Sequence, residues 1–146
     1  MVKVLGVIPT LKDDPTDTIN SILNQTISVS QILVVVGSKR LYNTLTQSRQ
    51  FNSSVRFLYV RPDLRECLGK RVAKAINVAL DEVNLNQYDY LLRIDADTIL
   101  PQRFLEENLK ANADSVGAGY AMLINMKTFM KVFDGKFKEV CAEDSY

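Results

Sequence analysis

Tyr88-Asp-Tyr-Leu-Leu-Arg-Ile-Asp-Ala-Asp97 is an apolar run that stops at two acids. Its first seven residues have the composition of a buried strand, and the Asp-Ala-Asp that follows begins where that strand must end. Two residues apart in extended backbone, Asp95 and Asp97 lie on one side of the chain, about 6.6 Å apart at Cα. Arg93 alternates onto that same side and is expected to pair with a nearby acid.

Strand-like and helix-like stretches alternate outward from this segment. Met1-Val-Lys-Val-Leu-Gly-Val-Ile8 is β-branched and apolar and is expected to stop at Pro9. Asp14-Pro15-Thr16-Asp17 supplies a cap, a proline for the first helical position and an acid for the first turn. With Ile19, Ile22 and Leu23 on one face, it predicts a helix ending near Thr26. Ile32-Leu-Val-Val-Val36, closed by Gly37-Ser38, reads as a strand covered on both faces. Val55-Arg-Phe-Leu-Tyr-Val60 is a third strand, and Val72, Ile76, Ala79, Leu80 and Val83 place a helix over 69–83. Leu100-Pro101 with Phe104, Leu105 and Leu109 marks a short helix, 120–125 a further strand and 126–133 a last helix stopped by Asp134-Gly135. The fold class is therefore α/β: an open, mostly parallel twisted sheet with helices on both faces, Rossmann-like, in a single domain over 1–146. In such sheets ligands bind beyond the carboxyl ends of the strands where strand order reverses. That directs attention to 9–14, 37–40 and Asp95-Ala-Asp97.

Composition narrows the chemistry. The chain has 146 residues, 47% of them hydrophobic and 24% charged, as expected of a globular domain, and no apolar run approaches the length of a membrane span. Eighteen basic and seventeen acidic residues leave no global field for nucleic acid. There is no histidine, which removes Ser-His-Asp and Cys-His catalysis, H-E-x-x-H zinc sites and imidazole proton shuttles. Cys67 and Cys141 lack C-x-x-C spacing and a preceding secretory signal, so both are expected reduced and structural, in a cytoplasmic protein. On the same ground the Asn24-Gln-Thr26 and Asn52-Ser-Ser54 sequons are expected to stay unmodified.

Two carboxylates facing one point suit a hard divalent cation, Mg²⁺ or Mn²⁺, which takes one or two carboxylates and fills its other positions with waters and substrate phosphates. The bland reading of an isolated D-x-D is a solvated acidic turn; its place at the end of a buried strand favours a metal–diphosphate site. Arg61, Arg65, Lys70, Arg71 and Lys74 outnumber Asp63 and Glu66 in one stretch. Such a run is commonly a solvated helix face, against which Lys70 and Arg71 are carried as contacts to a diphosphate or an anionic lipid-linked acceptor. Gly69-Lys70 lacks the rest of a P-loop, and Gly117-Ala-Gly119 lacks the rest of a dinucleotide fingerprint. Asp13 and Asp14 after the first strand raise a phosphoacceptor reading, which fails because the third strand ends in Val60-Arg-Pro62 without a well-placed acid.

Val7-Ile-Pro-Thr10, Ser21-Ile-Leu-Asn-Gln-Thr26, Ile32-Leu-Val-Val-Val-Gly-Ser38, Ala75-Ile-Asn77 and Ile94-Asp-Ala-Asp97 with Leu100-Pro101 stand in the order seen in family 2 glycosyltransferases. From its first strand almost to its last residue the chain resembles a GT-A domain of that family; 117–133 is similar to the stretch after the D-x-D, and Glu143-Asp144 to a late acidic pair. The resemblance implies metal-dependent, inverting transfer of a sugar from a nucleotide-diphosphate sugar to a hydroxyl on a glycan, lipid or protein. It implies Pro9, Thr10, Gly37, Ser38, Asn77 and Asp95 as nucleotide-sugar contacts, Asp97 and Asp95 as metal ligands, Asp144 as catalytic base and Glu143 as its neighbour or an acceptor contact. Where the family has an acidic pair before Gly-Ser, this chain has Val35 and Val36, which leaves the nucleotide open. The family's C-terminal acceptor-binding extension is expected to be missing, which leaves room for a partner subunit or the cytoplasmic face of a membrane. The alternative is a non-catalytic nucleotide-sugar-binding domain.

Overall fold

The apolar runs become strands β1 (Val4–Thr10), β2 (Gln31–Val36), β3 (Val55–Tyr59) and β4 (Tyr90–Ile94), all mutually parallel where they pair. β5 (Ser115–Ala118) and β6 (Ala121–Asn125) form a hairpin that joins β4 antiparallel through β6. The order is β3-β2-β1-β4-β6-β5. The architecture is the expected α/β, Rossmann-like sheet of GT-A type. This computed structural model describes residues 1–111, 114–118 and 120–141, so Glu143 and Asp144 lie outside the described residues.

Alternation along β2 accounts for its unbroken apolar sequence, because both faces of the sheet are covered. Ile32, Val34 and Val36 join one core, with Ile19 and Ile22 of α1 (Thr16–Leu23), Leu45 of α2 (Lys39–Ser48) and Leu105 of α4 (Phe104–Leu109). Leu33 and Val35 join the other, with Ile76, Ala79 and Leu80 of α3 (Leu68–Leu80) and Phe129 of α5 (Met126–Phe133). Each valine, leucine, isoleucine or phenylalanine among them that is fully buried contributes about 1.5–3 kcal/mol.

β1 does not stop at Pro9 but runs to Thr10. The carbonyls of Val4 and Thr10 accept from Ser30 and Gly37 on the β2 side, so Pro9, at odd parity, turns its missing N–H toward β4. Pairing with β4 ends at Val7 and Arg93, so no ladder bond is lost. The same separation of β1 from β4 opens the crevice at which strand order reverses.

Three further differences have local causes. α1 ends at Leu23 rather than near Thr26, and Gln25 turns inward instead. α2 was not read from the sequence because only Leu45 of its ten residues is buried, leaving a nearly polar helix. β5 is four residues long, with Gly117 at φ 128° where a Cβ would lie 2.2 Å from the Ala121 carbonyl oxygen. The expectation of reduced cysteines is overturned: Cys67, the residue before α3, is disulfide-bonded to Cys141, with Cα atoms 5.8 Å apart. Seventy-four residues separate them, so no spacing announced the pair. Such bonds persist chiefly in oxidising compartments, which bears against the cytoplasmic expectation. Among the described residues no helix is long and apolar enough to cross a membrane.

Candidate active site

Beyond the carboxyl ends of β1 and β4 lies a cleft of about 840 Å³. One wall is the loop from Pro9 to Asp13, a second the first half of α3 from Leu68 to Ile76, and the floor is Arg93, Asp95, Ala96 and Asp97 with Met122. Phe137, Lys138 and Val140 close the remaining side. A smaller cavity of about 300 Å³ adjoins it behind Pro9, Thr10, Leu11 and Val72, bounded by Val35, Gly37, Val60, Arg71 and Ala75.

The Asp-Ala-Asp turn is fixed at both ends. The Asp95 N–H donates to the Tyr120 carbonyl at 2.9 Å and its carbonyl accepts from Thr98 N at 3.1 Å, so the chain leaves β4 in a tight turn. Ala96 is buried, and its carbonyl accepts the Thr18 hydroxyl at 2.6 Å. Ser21 Oγ then accepts from Leu100 N at 3.1 Å, while Gln25 donates to the Pro101 carbonyl at 2.7 Å and accepts from Leu105 N at 3.0 Å. Thr18, Ser21 and Gln25 are three buried polar residues spaced along one side of α1 and just past its end, and together they hold 96–105 in register. Sequence reading missed this role, although polar residues at i, i+3 and i+7 beside Ile19 and Ile22 were the available signal.

Arg93 pairs with Asp95 at 3.4 Å, as the alternation along the strand expects. Burial raises the Asp95 carboxyl above its ordinary value, the Arg93 guanidinium draws it back, and the nearby Asp97 charge pushes it up again; the net direction is upward. Asp97 is exposed at the cleft. Among the described residues no group of three or more Asp, Glu, Cys or His could hold a metal. A donor set of two carboxylates fits Mg²⁺ or Mn²⁺ completed by waters and phosphate oxygens, and does not fit a fully protein-ligated ion.

The other expected contacts divide by position. Pro9 and Thr10 line both cavities, and the Thr10 hydroxyl donates to the Asp13 carbonyl at 2.6 Å, which shapes the loop. Gly37 and Arg71 line the smaller one. A Cβ on Gly37 would sit 3.1–3.2 Å from Leu11, so the absence of a side chain there lets two loops touch. The Arg71 Nε is buried without a hydrogen-bond partner among the described residues.

Ser38, Lys70 and Asn77 line neither cavity and have other work. Ser38 caps α2, its hydroxyl accepting from Leu41 N at 3.2 Å. Lys70 joins Lys74 on Glu66, at 3.2 and 2.7 Å, and Arg65 pairs with Asp63, so these three cations of the basic run are engaged by its own two acids. Asn77 is buried, and both its donors and its carbonyl are taken by Phe137 and Glu139.

No protein-family model matches the sequence, and neither does any curated protein. Solved structures do. S. aureus TarS 1-349 superposes with a TM-score of 0.70 at 16% identity, covering 98% of this chain and 53% of that one. TarS 1-349 in complex with UDP-GlcNAc gives 0.69 at 15% identity, covering 98% and 51%. The 4-diphosphocytidyl-2C-methyl-D-erythritol synthase of Anaerococcus prevotii gives 0.60 at 10% identity, covering 99% and 80%. The chain thus spans about half the length of the TarS chains, and it shares its fold with all of these.

Proposed function

We propose that the chain is the nucleotide-sugar-binding and catalytic part of a metal-dependent inverting glycosyltransferase. The observation that carries this reading is the convergence of Asp95, Asp97, Pro9 and Thr10 on one cleft at the β1–β4 switch point. The UDP-GlcNAc complex of a protein with this fold supports a uridine diphosphate sugar as the first donor to test. In this reading the smaller cavity, with apolar walls at Val35, Val60, Val72 and Ala75, takes the base, and the larger takes diphosphate and sugar. Both volumes are in the range of small-molecule sites.

Asp97 and Asp95 would hold Mn²⁺ or Mg²⁺, which when bound neutralises charge on the departing diphosphate. Pro9 and Thr10 shape the surface against which the donor lies. Asp144, three residues after Cys141 in sequence, removes the acceptor hydroxyl's proton as that oxygen bonds to the anomeric carbon from the face opposite the diphosphate. The anomeric carbon–oxygen bond breaks, the nucleoside diphosphate leaves with the electron pair, and the configuration inverts. Glu143, the preceding residue in sequence, would serve as its neighbour or as an acceptor contact.

Calorimetry with UDP, UDP-GlcNAc and GDP-sugars, with and without Mn²⁺, tests the reading. Metal-dependent binding is expected for the parent and is lost in Asp97→Ala, whereas Asp144→Asn keeps binding and loses transfer. No metal-dependent nucleotide binding by the parent refutes it; binding without transfer to any acceptor selects the non-catalytic alternative.

A further inference from the structure

The side of the cleft opposite the β1 loop is formed by a short segment, 137–141, that runs back along α3 after the last helix. Two anchors hold it. Asn77, buried in the second core's helix, accepts from Phe137 N at 2.7 Å and donates to the Phe137 carbonyl at 2.8 Å and to Glu139 Oε2 at 3.0 Å. Four residues on, Cys141 is bonded to Cys67 at the start of α3. Between the anchors Lys138 lines the cleft whose floor holds Asp95 and Asp97. Lys138 makes no ion pair with a described residue, and neither does Lys12 on the facing loop, whereas Arg93 is paired with Asp95 and Lys70 and Lys74 with Glu66.

We propose that 137–141 is a clasped strap that completes the diphosphate end of the cleft, with Lys138 contacting the ligand's anionic oxygens and the Cys67–Cys141 disulfide as the clasp. The proposal rests on the reading of the cleft as a nucleotide-diphosphate site. A nucleoside diphosphate carries more negative charge than one divalent ion cancels, so it calls for further cations. An ammonium on an exposed flexible stem is a weak contact if its backbone wanders and a strong one if its backbone is held. Asn77 fixes the strap's beginning, and the disulfide fixes its end. When a dithiol reduces the disulfide, the S–S bond breaks, both cysteines gain a proton and the dithiol closes to its own disulfide. The strap then loses its covalent tie to α3 and keeps its anchor at Asn77 and Phe137, and Lys138 loses its fixed position.

The test measures UDP binding by calorimetry with Mg²⁺, which thiols sequester poorly, in parallel with hydrogen exchange at the strap amides. Adding dithiothreitol to the parent is expected to weaken UDP binding about tenfold, the loss of one well-placed charge-assisted contact. Lys138→Ala weakens it by a similar factor and Lys138→Arg restores it. Dithiothreitol adds nothing to Lys138→Ala, because both act through the same contact. The Cys67→Ser, Cys141→Ser double variant binds weakly with or without reductant. Reduction also speeds exchange in 138–141 while the α3 amides stay protected, which separates strap release from unfolding. Unchanged affinity on reduction or in Lys138→Ala overturns the proposal. If the oxidised parent binds no nucleoside diphosphate, the proposed function and the Lys138 contact fall together, and the clasp is judged by exchange alone. Strap protection that survives dithiothreitol overturns it.

Discussion

Asp95 sits between two opposing influences, and its titration tells which prevails. Desolvation is the largest, and with the Asp97 charge it outweighs the pull of Arg93, so the carboxyl is raised in the folded protein. A group raised on folding holds its proton more tightly in the native state; its contribution is full below the unfolded value and is lost as pH climbs through the folded one. The melting temperature of the parent relative to Asp95→Asn is therefore expected to fall as pH rises through and above the ordinary aspartate range, and millimolar Mg²⁺ at neutral pH should recover part of the difference if the proposed metal site is right. Scanning calorimetry at several pH values checks both statements. A parent that gains on the variant with rising pH would mean that the 3.4 Å Arg93 pair dominates. If Asp95 and Asp97 hold a divalent cation as proposed, its binding is expected to weaken in acid at higher pH than an ordinary aspartate would require, since proton and cation compete for the same oxygens.

At the scale of elements, what was legible and what was not follows from how much apolar surface each element buries. β2 and α3 announced themselves because Ile32 to Val36 and Ile76, Ala79 and Leu80 are withdrawn from water almost completely. α2 did not, because a helix with Leu45 as its one buried residue has hardly any periodic signal, and its start rests on a single cap. That cap bears on the site. Ser38 was read as a nucleotide contact from its place after β2, yet its hydroxyl is spent on Leu41 N at 3.2 Å, outside both cavities. Ser38→Ala is expected to cost about 1 kcal/mol of stability and to leave UDP affinity unchanged; urea unfolding beside calorimetry separates the two readouts. A loss of affinity with stability preserved would return Ser38 to the binding surface. Asn77 shows the same lesson more strongly, since a buried amide's partners 60 residues away leave no trace in local sequence.

Across the whole molecule, the position of the site was more legible than its walls. The floor follows from where a buried strand ends, because ligands of an open α/β sheet lie beyond the carboxyl ends of its strands, whereas the disulfide joining Cys67 to Cys141 and the Thr18–Ser21–Gln25 ladder depend on contacts between segments far apart in sequence. The Thr18–Ser21–Gln25 contacts knit the α1 face of the sheet to the loop that carries the carboxylates, and the disulfide ties Cys141 to the start of α3. The two cores nonetheless share no side chains: Ile22 belongs to the face that holds α1, Ile76 to the face that holds α3, and both are essentially inaccessible. The sheet between them is common to both, so the chain should unfold as one unit while small losses of packing on opposite faces remain independent. Ile22→Val and Ile76→Val are each expected to cost about 0.5–1.5 kcal/mol, and the double variant the sum to within about 0.5 kcal/mol. Urea titration followed by circular dichroism reads this as additive shifts in midpoint at constant slope. A changed slope, or a biphasic curve in either single variant, would show that one face melts before the other.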